Sequence, residues 1–315
     1  MPYPLETARN HKVSVIIPSY NHASYIDDAI KSCLDQDYQG EIEIVVIDDA
    51  SQDQSVECIK KYEVYYQRNR SFIFFYKNNN LGLNHSIELG LKLSTGNFVQ
   101  ILASDDILEP AKFSSQITFL QKNNFDCVYS TGYLFEESNI LKKITLTDFM
   151  KYYKNGDVYK FVCTQDFGGP LVQSALFKKS VLEKVKEIRS SFKSDDWAML
   201  IFLFKYFNVG YLDEPFFKYR QHNKNSFKKY LDTFPMRIDV ISRLVPLNFQ
   251  AEAYSNIFFS QASYFHKDKN YKYACKFAFI SLAMFFSMPN MIRIFRLFFP
   301  IKIKKLIKKV FEVKY

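Results

Sequence analysis

Adjacent carboxylates follow two apolar runs in the first part of the chain, and they are the residues best suited to chemistry. Asp48-Asp49 follows one run and Asp105-Asp106 follows another. Two neighbouring carboxylates repel each other, and removing both from water costs free energy. A divalent cation resolves this conflict, because magnesium and manganese commonly combine one or two carboxylates with substrate phosphates. Asp105-Asp106 therefore suits metal-assisted chemistry in which a departing diphosphate is neutralised.

Helix capping is the alternative explanation of each pair, because Asp and Asn are ordinary helix N-caps. For one pair alone, capping is the favoured interpretation. Two pairs at the ends of neighbouring strands are harder to explain in this way. The elements that carry the pairs therefore decide between the two interpretations.

Apolar patterning predicts strands that alternate with helices over the first 125 residues. This alternation is typical of a mainly parallel sheet with helices on both faces, and ligands bind such sheets beyond the carboxyl ends of the strands. Polar clusters follow three of those ends: Ser19-Tyr20-Asn21, Asp48-Asp49 and Ser104-Asp105-Asp106. The predicted strands are 13–17, 42–47, 72–76 and 98–102, and the predicted helices are 24–36, 53–65, 84–93 and one opened by Pro110.

The pattern is weaker beyond residue 125. It predicts a strand at 128–135, a loop at 167–170, helices at 181–188 and 197–207, and a strand at 211–219 that Pro215 interrupts. From about residue 230 the signal is helical and rich in aromatic residues.

Composition excludes several classes of protein. Hydrophobic residues make up 48% of the 315, which supports a sizeable core and argues against general disorder. The five cysteines show neither metal-ligand nor redox spacing. The N-terminal segment has no apolar stretch, and the longest apolar run, 277–288, is shorter than the ~20 residues that span a bilayer. We expect a cytoplasmic protein, with a peripheral position on the inner face of the cell membrane as a further option.

Basic residues are concentrated at the C-terminus. The net charge is +9, and residues 291–315 carry eight Lys or Arg against one Glu. Residues 303, 306, 307, 310 and 311 are apolar and fall on one face of a helix, with lysines on the other faces. This pattern suits a helix on an anionic membrane surface, whereas the alternative is a terminal helix packed on the body. Nucleic acid is not an expected partner, because the sequence shows no recognised nucleic-acid module.

Five segments, taken in order, resemble the family-2 glycosyltransferases, which have the GT-A fold. The ordered series is specific and covers about two-thirds of the chain, whereas any single segment would be weak. A doubly wound oxidoreductase is disfavoured, because no G-x-G-x-x-G follows the first strand. The segments are VSVIIPSYN at 13–21, EIVVIDDASQD at 43–53, NNLGLNHSIELGLKLSTGNFVQILASDD at 79–106, SDDWAML at 194–200 and YRQHNKNS at 219–226.

The resemblance implies an α/β chain in which a Rossmann-like, mainly parallel sheet with flanking helices precedes a C-terminal helical segment. We expect a GT-A catalytic domain at 1–228 and a helical region with the basic amphipathic tail at 229–315. The nucleotide-sugar half would occupy about 12–106 and the acceptor half about 107–228.

The resemblance also implies the residues that bind the donor. Asp49 would accept a hydrogen bond from the base imide, and Asp48 would orient its loop. Asp105 would contact the ribose or the sugar. The remaining donor-binding candidates are Pro18, Ser19, Tyr20, Asn21, Asn84 and Ser104.

Asp106 is the metal ligand that the resemblance implies, with Mn²⁺ or Mg²⁺ as the cofactor. The usual D-x-D motif is here Ser104-Asp105-Asp106, so one carboxylate is missing and a supplementary ligand can be added. His222 in the Tyr-Arg-Gln-His segment is the predicted supplement, because neutral imidazole binds metals. A surface histidine on a basic loop is the alternative, which spacing alone would favour.

Asp195-Asp196-Trp197 resembles the Glu-Asp-Trp signature of the family. Asp196 would therefore be the catalytic base that deprotonates the acceptor hydroxyl, with Asp195 secondary. Helix N-capping is the alternative, and both roles can hold together. A helix N-terminus favours the anionic carboxylate, which weakens it as a base. Trp197 opens an apolar helix, so we expect it to pack in the core.

The implied activity is that of an inverting glycosyltransferase of the hexosyltransferase class. It would move one sugar from a nucleotide diphosphate donor, UDP-sugar by resemblance, to a glycan or lipid-linked acceptor in surface-polysaccharide or glycoconjugate synthesis. The chain lacks the Gln-x-x-Arg-Trp motif of processive synthases, which favours single additions. Residues 168–173 would line the acceptor site or form a plain turn. The competing hypothesis is a non-catalytic nucleotide-sugar-binding protein with the same fold.

Overall fold

The computed structural model describes residues 11–64, 69–137, 139–165, 169–192, 196–222 and 233–298. The chain divides into two compact units. One comprises Met1–Lys151 with Gly169–Lys228, and the other comprises Tyr152–Gly168 with Lys229–Tyr315. The segment 152–168 is thus grouped with the helical C-terminal part, and the domain boundaries expected from the sequence stay a prediction.

Strands alternate with helices in the first part of the chain, as the patterning predicts. The first two strands are buried along their whole length, because Val and Ile occupy both of their faces. The elements are β1 (Val13–Ser19), α1 (Ile26–Leu34), β2 (Ile42–Asp48), α2 (Ser55–Lys60), β3 (Arg70–Tyr76), α3 (Leu83–Leu93) and β4 (Phe98–Ile101).

Shorter strands and helices follow. Pro110 precedes α4 by two residues, so it lies ahead of the helix that it was predicted to open. The elements are β5 (Ile107–Leu108), α4 (Lys112–Lys122), β6 (Cys127–Glu136), β7 (Asn139–Lys143), α5 (Thr147–Lys154), α6 (Val158–Thr164), a 3₁₀ turn (Val172–Ser174), β8 (Leu176–Lys178), α7 (Lys179–Ser191), α8 (Asp196–Tyr206) and β9 (Val209–Arg220).

The strands of the described residues form one sheet, in the order β3-β2-β1-β4-β8-β6-β9-β5, with β7 added on β6. The first four of these strands are mutually parallel. The three-residue strand β8, which the patterning does not predict, joins β4 to β6 in antiparallel fashion. The predicted α/β fold with a mainly parallel sheet and flanking helices is confirmed.

Strand β9 continues through Pro215, although the patterning predicts an interruption there. It runs parallel to β6, with Leu212 opposite Ser130 and Pro215 opposite Thr131. Two residues of β9, 213 and 214, therefore have no counterpart on β6, which makes this bulge one residue longer than the usual one. The bulge absorbs the proline, which cannot donate to a ladder, and lets the strand continue to Arg220.

The second unit is helical in its described residues, as predicted. Ala274, Ala278 and Ser281 recur at helical spacing and form the buried face of one helix. Asn290 is also buried, and its Nδ2 donates to Ser255 Oγ at 2.8 Å. The helices of this region are α9 (Phe234–Leu244), α10 (Leu247–Lys267), α11 (Tyr271–Met284) and α12 (Met288–Phe298).

Length and hydropathy bear on membrane crossing. Among the helices of the described residues, none combines the length and the apolar character that a bilayer span requires. The predicted amphipathic segment 303–311 lies outside the described residues.

Candidate functional site

The carboxyl ends of β1 and β2 meet side by side. Ser19 lies opposite Asp48 in the parallel ladder, and the backbone N–H of Asp49 donates to the carbonyl of Ser19 at 2.8 Å. Both oxygens of the buried Asp48 accept from Ser51, from its N–H at 2.8 Å and from its hydroxyl at 2.6 Å. Asp48 therefore holds the turn after β2, which is the geometry that its predicted loop-orienting role needs.

Asp49 is buried and connects the turn after β2 to the start of α3. Its Oδ1 accepts from the N–H of Leu81 at 2.8 Å, and its Oδ2 accepts from the N–H of Gly82 at 2.7 Å. Gly82 has a φ of 86°, a left-handed conformation that favours glycine. The buried ammonium of Lys77 also forms an ion pair with Asp49. Asn84 follows as the second residue of α3, with its predicted role near the donor untested.

The segment after β1 combines a buried and an exposed residue. Ser19 is buried, and Tyr20 is 44% exposed. Asn21 has a positive φ of 54°, and its N–H donates to Ser51 Oγ at 2.9 Å. Pro18 is the last residue but one of β1. These residues share one edge of the sheet, and their contacts with a donor stay predictions.

Asp106 is fully buried, and both of its oxygens accept hydrogen bonds from the protein. The backbone N–H of Arg220 donates to Oδ1 at 2.9 Å, and Gln173 Nε2 donates to Oδ2 at 3.0 Å. Burial and the neighbouring charge of Asp105 raise the pKa of Asp106 well above its ordinary value. Asp106 thus ties the end of β9 and the 3₁₀ turn to the segment after β4.

Asp105 lies beside two imidazoles. Its Oδ2 is 2.9 Å from His222 Nε2. One potential ligand atom from each of His22, Asp105 and His222 lies within 4.8 Å of the others. Carboxylate oxygen and imidazole nitrogen are ligands of divalent transition metals. The residues therefore fit a divalent cation, and within the predicted pair it is Asp105 that joins this cluster.

Arg220 contacts several residues around this cluster. Its guanidinium carbon is 5.0 Å from the ring centre of Tyr25 and 4.5 Å from that of Phe135. Its Nε donates to the carbonyl of Asp105 at 2.8 Å, and its Nη2 pairs with Asp28 at 2.7 Å. Such planar contacts with several acceptors are specific to arginine. Arg220 therefore connects α1, β6 and the segment after β4.

Asp196 is the first residue of α8 and is exposed. Trp197 is 6% exposed, as expected for a core residue. Asp195 and Gly168 lie outside the described residues. Gln173, at the other end of the predicted acceptor segment, donates to Asp106, so this segment supports the buried carboxylate.

Sequence reasoning assigned no role to three residues of this region: His22, Lys77 and Arg220. It placed Gln173 in the acceptor segment or a turn, whereas the structure places it against Asp106. Arg220 lies within the segment 219–226 that was already singled out, and His22 is the residue that directly follows the segment 13–21. Lys77 carries no local signal, because only the position of β3 in the sheet brings it to Asp49.

Comparison with known sequences gives matches over most of the sheet. The family model described as Glycosyl transferase family 2 matches residues 14–186, more than half of the chain. An uncharacterized glycosyltransferase of Methanocaldococcus jannaschii is 26% identical over 219 residues, 68% of this chain and 72% of that protein. An uncharacterized glycosyltransferase of Mycoplasma genitalium is 28% identical over 271 residues, 84% of this chain and 89% of that protein.

Solved structures share the fold at low sequence identity. The mannosyltransferase PcManGT of Pyrobaculum calidifontis, in complex with GDP-Man and Mn²⁺, matches with a TM-score of 0.60 and 15% identity. That match covers 90% of this chain and 78% of PcManGT. TarS of S. aureus, in complex with UDP-GlcNAc, matches with a TM-score of 0.54 and 16% identity, over 84% of this chain and 89% of the TarS chain.

Proposed function

Because the chain belongs to glycosyl transferase family 2, we propose that it transfers one sugar from a nucleotide diphosphate donor with inversion at the anomeric carbon. The donor is a UDP-sugar, and the acceptor is a glycan or lipid-linked glycan of surface-polysaccharide or glycoconjugate synthesis. The observation that carries the proposal is the convergence of Asp49, Asp105 and His222, since β2, β4 and β9 bring them to one edge of the sheet.

Asp105 and His222 hold the divalent cation in this proposal, which changes the roles expected within the pair. The two oxygens of Asp106 already accept from Arg220 and Gln173, so Asp106 supports its neighbour. When bound, the cation neutralises the diphosphate as the sugar leaves. The Mn²⁺ in the PcManGT complex supports a divalent cofactor, and Mg²⁺ is the other candidate.

The nucleoside lies over the turn after β2 in this proposal. Asp49 fixes residues 81 and 82 through two N–H donors, which shapes the wall between β2 and α3. The buried ammonium of Lys77 pairs with Asp49 and holds its carboxylate in this wall. Ser19, Tyr20 and Asn21 form the opposite side. UDP-GlcNAc in TarS and GDP-Man in PcManGT support a nucleotide-sugar donor as the class of substrate.

Asp196 is the base in this proposal. It stands exposed at the start of α8, where an acceptor hydroxyl can approach it from solvent. It takes the proton of that hydroxyl as the oxygen attacks the anomeric carbon. No covalent enzyme intermediate is required.

Asp196→Asn separates this function from that of a non-catalytic binding protein. Purified chain is assayed with Mn²⁺ for transfer and hydrolysis across panels of nucleotide sugars and acceptors. We expect Asp196→Asn to lower kcat by about 10²-fold or more while donor affinity is kept, because general-base catalysis contributes a factor of that order. Asp239→Asn, a half-exposed acid on α9 that pairs with Arg243, is the matched control. A native protein that binds donors but turns over none of them would support the binding-protein alternative.

Anionic membrane is the proposed location, on the cytoplasmic side. Three exposed basic residues, Lys272, Lys276 and Arg296, lie on α11 and α12. Exposed apolar side chains in one region mark an interaction site, and these basic residues on the same helices favour anionic lipid as the partner. A lipid-linked acceptor gives this location a purpose. The same two helices and their connection expose seven large apolar side chains: Phe279, Met284, Phe285, Phe286, Met288, Met291 and Phe295.

Flotation with vesicles tests the membrane proposal. Ending the chain at Phe298 removes the predicted basic helix and keeps the buried Asn290 and Ile294 of α12. We expect this truncation and Phe285→Ser/Phe286→Ser each to reduce binding to vesicles containing phosphatidylglycerol. Tyr206→Ser, an exposed aromatic of α8, is the control. Unchanged binding by both the truncated chain and the double variant contradicts the proposal.

A further inference from the structure

His22 lies in the cluster that contains Asp105 and His222, although it belongs to none of the sequence segments that point to function. A potential ligand atom of each residue lies within 4.8 Å of the other two. The three residues come from separate parts of the first unit: the β1–α1 connection, the segment after β4 and the residues after β9. Their meeting is therefore a product of the fold.

The ring of His22 is held in place by its surroundings. Its Nδ1 lies 2.7 Å from the hydroxyl of the buried Ser104. A hydroxyl can donate or accept, so this contact serves either tautomer. Hydrogen bonds of this kind orient metal-binding histidines, because the ring nitrogen that does not bind the metal is generally held by a neighbouring group.

The backbone of His22 is equally fixed. Its N–H donates to Ser55 Oγ at 3.0 Å, and its carbonyl accepts from the N–H groups of Tyr25 and Ile26 at 2.9 and 3.0 Å. The residue is thus anchored to the first turn of α1 and to α2. A rigid backbone and a held ring are the preorganisation that a ligand side chain needs.

Tyr25 connects the two imidazoles. Its ring stacks on His222 with centroids 4.9 Å apart, and it meets His22 edge-on at 5.7 Å. His22 and His222 also meet edge-on, with centroids 6.0 Å apart. The ring of Tyr25 also contacts the guanidinium of Arg220. The aromatic contacts therefore hold both imidazoles close to the carboxylate of Asp105.

We propose that His22 is a third protein ligand of the divalent cation, beside Asp105 and His222, and that it sets which metal is preferred. This inference rests on the metal site of the proposed function. Two imidazoles and one carboxylate form a nitrogen-rich set, whereas Mg²⁺ favours oxygen ligands in octahedral geometry. The set therefore selects Mn²⁺ over Mg²⁺, and removal of His22 weakens that selection.

Mn²⁺ binding to the full chain tests the inference without relying on activity. Free Mn²⁺ is titrated by EPR, with and without UDP, for the wild type, His22→Asn and the control His11→Asn. His11 precedes the amino end of β1 by two residues, whereas the cluster lies beyond the carboxyl ends of β1 and β4. We expect His22→Asn to raise the Kd for Mn²⁺ by about tenfold or more and the control to leave it unchanged. The Mn²⁺-to-Mg²⁺ affinity ratio, obtained by competition, falls in His22→Asn.

Pulsed EPR of Mn²⁺ bound to the wild type counts the histidine nitrogens that are coupled to the ion. This measurement tests the inference even if His22→Asn does not fold. Two histidine couplings in the wild type, reduced to one in His22→Asn, support the inference. A single coupling in the wild type, or an unchanged Kd in a folded His22→Asn, overturns the role of His22 and leaves the proposed function intact. A wild type that binds no Mn²⁺ in either condition overturns the inference together with the proposed metal site.

Discussion

The backbone N–H of Arg220 donates to Oδ1 of Asp106 at 2.9 Å, across 114 residues of sequence. This hydrogen bond attaches the end of β9 to the segment after β4. Two residues beyond Arg220, His222 reaches Asp105, the neighbour of Asp106. Asp106 thus holds the end of β9 against the segment after β4, and Asp105 faces His222.

The two aspartates should therefore respond differently to the same substitution. In Asp106→Asn, the amide group of the new side chain faces the N–H of Arg220 or the amide of Gln173, which leaves a buried donor unpaired. We expect the free energy of unfolding to fall by about 1–3 kcal/mol, measured by urea denaturation.

Asp105→Asn is the matched comparison. Its carboxylate is replaced at a partly exposed position, where an amide oxygen can still accept from His222. We expect an unfolding free energy close to that of the wild type, together with a large loss of Mn²⁺ affinity. Equal destabilisation by the two substitutions would contradict the division of roles.

Arg220→Lys should impair both folding and activity. Lysine keeps the positive charge but cannot span Tyr25 and Phe135 while also bonding to Asp105 and Asp28. We expect a lower melting temperature and a lower kcat. Lys218→Arg, on the same strand and paired with Glu109, is the control. A variant with native stability and native kcat would show that the planar contacts of Arg220 are dispensable.

Glu43 should make stability depend on acid pH. It is buried in β2, where burial would raise its pKa, but hydrogen bonds from Lys12, Thr95 and Ser14 lower the pKa below its ordinary value of 4.5. A pKa lowered on folding contributes stability above the unfolded pKa, and this stability is lost as the pH falls through the folded pKa. The contribution of Glu43 therefore disappears in the acid range below pH 4.5.

Glu43→Gln tests this contribution. We expect urea denaturation to show a loss of about 1–3 kcal/mol at neutral pH, because an amide cannot accept from every donor that surrounds the carboxylate. The difference from the wild type should shrink in acid. Glu41→Gln, an exposed residue just ahead of β2, serves as the control. A difference that is constant with pH would contradict the assignment.

Asp49→Asn should weaken nucleotide binding. The amide group of asparagine cannot accept from the N–H of Leu81 and that of Gly82 at once, and the ammonium of Lys77 loses its charged partner. We expect about a tenfold loss of affinity for UDP, the cost of roughly one hydrogen bond to a charged group, measured by calorimetry. Asn79→Ala, an exposed change in the same connection, should leave UDP binding unchanged. Native affinity in Asp49→Asn would contradict a role for Asp49 in the nucleoside site.

Much of the fold was predictable because its patterns are local. The runs of Val and Ile in β1 and β2 are buried on both faces, and the helices between them follow helical spacing. Strand β8 was missed because three residues carry no periodicity. Pro215 was misjudged because the bulge that accommodates it exists only in the pairing of β9 with β6.

By itself, the sequence determined the α/β class, the family and the convergence of polar residues at strand ends, since local patterning and ordered motifs carry this information. Only the tertiary structure decided which aspartate of the pair faces His222 and which is buried under Arg220 and Gln173. Adjacent side chains point in different directions, and their environments come from β9 and the 3₁₀ turn, far away in sequence. His22 joins the same cluster for that reason: the strand order places the β1–α1 connection beside the end of β4.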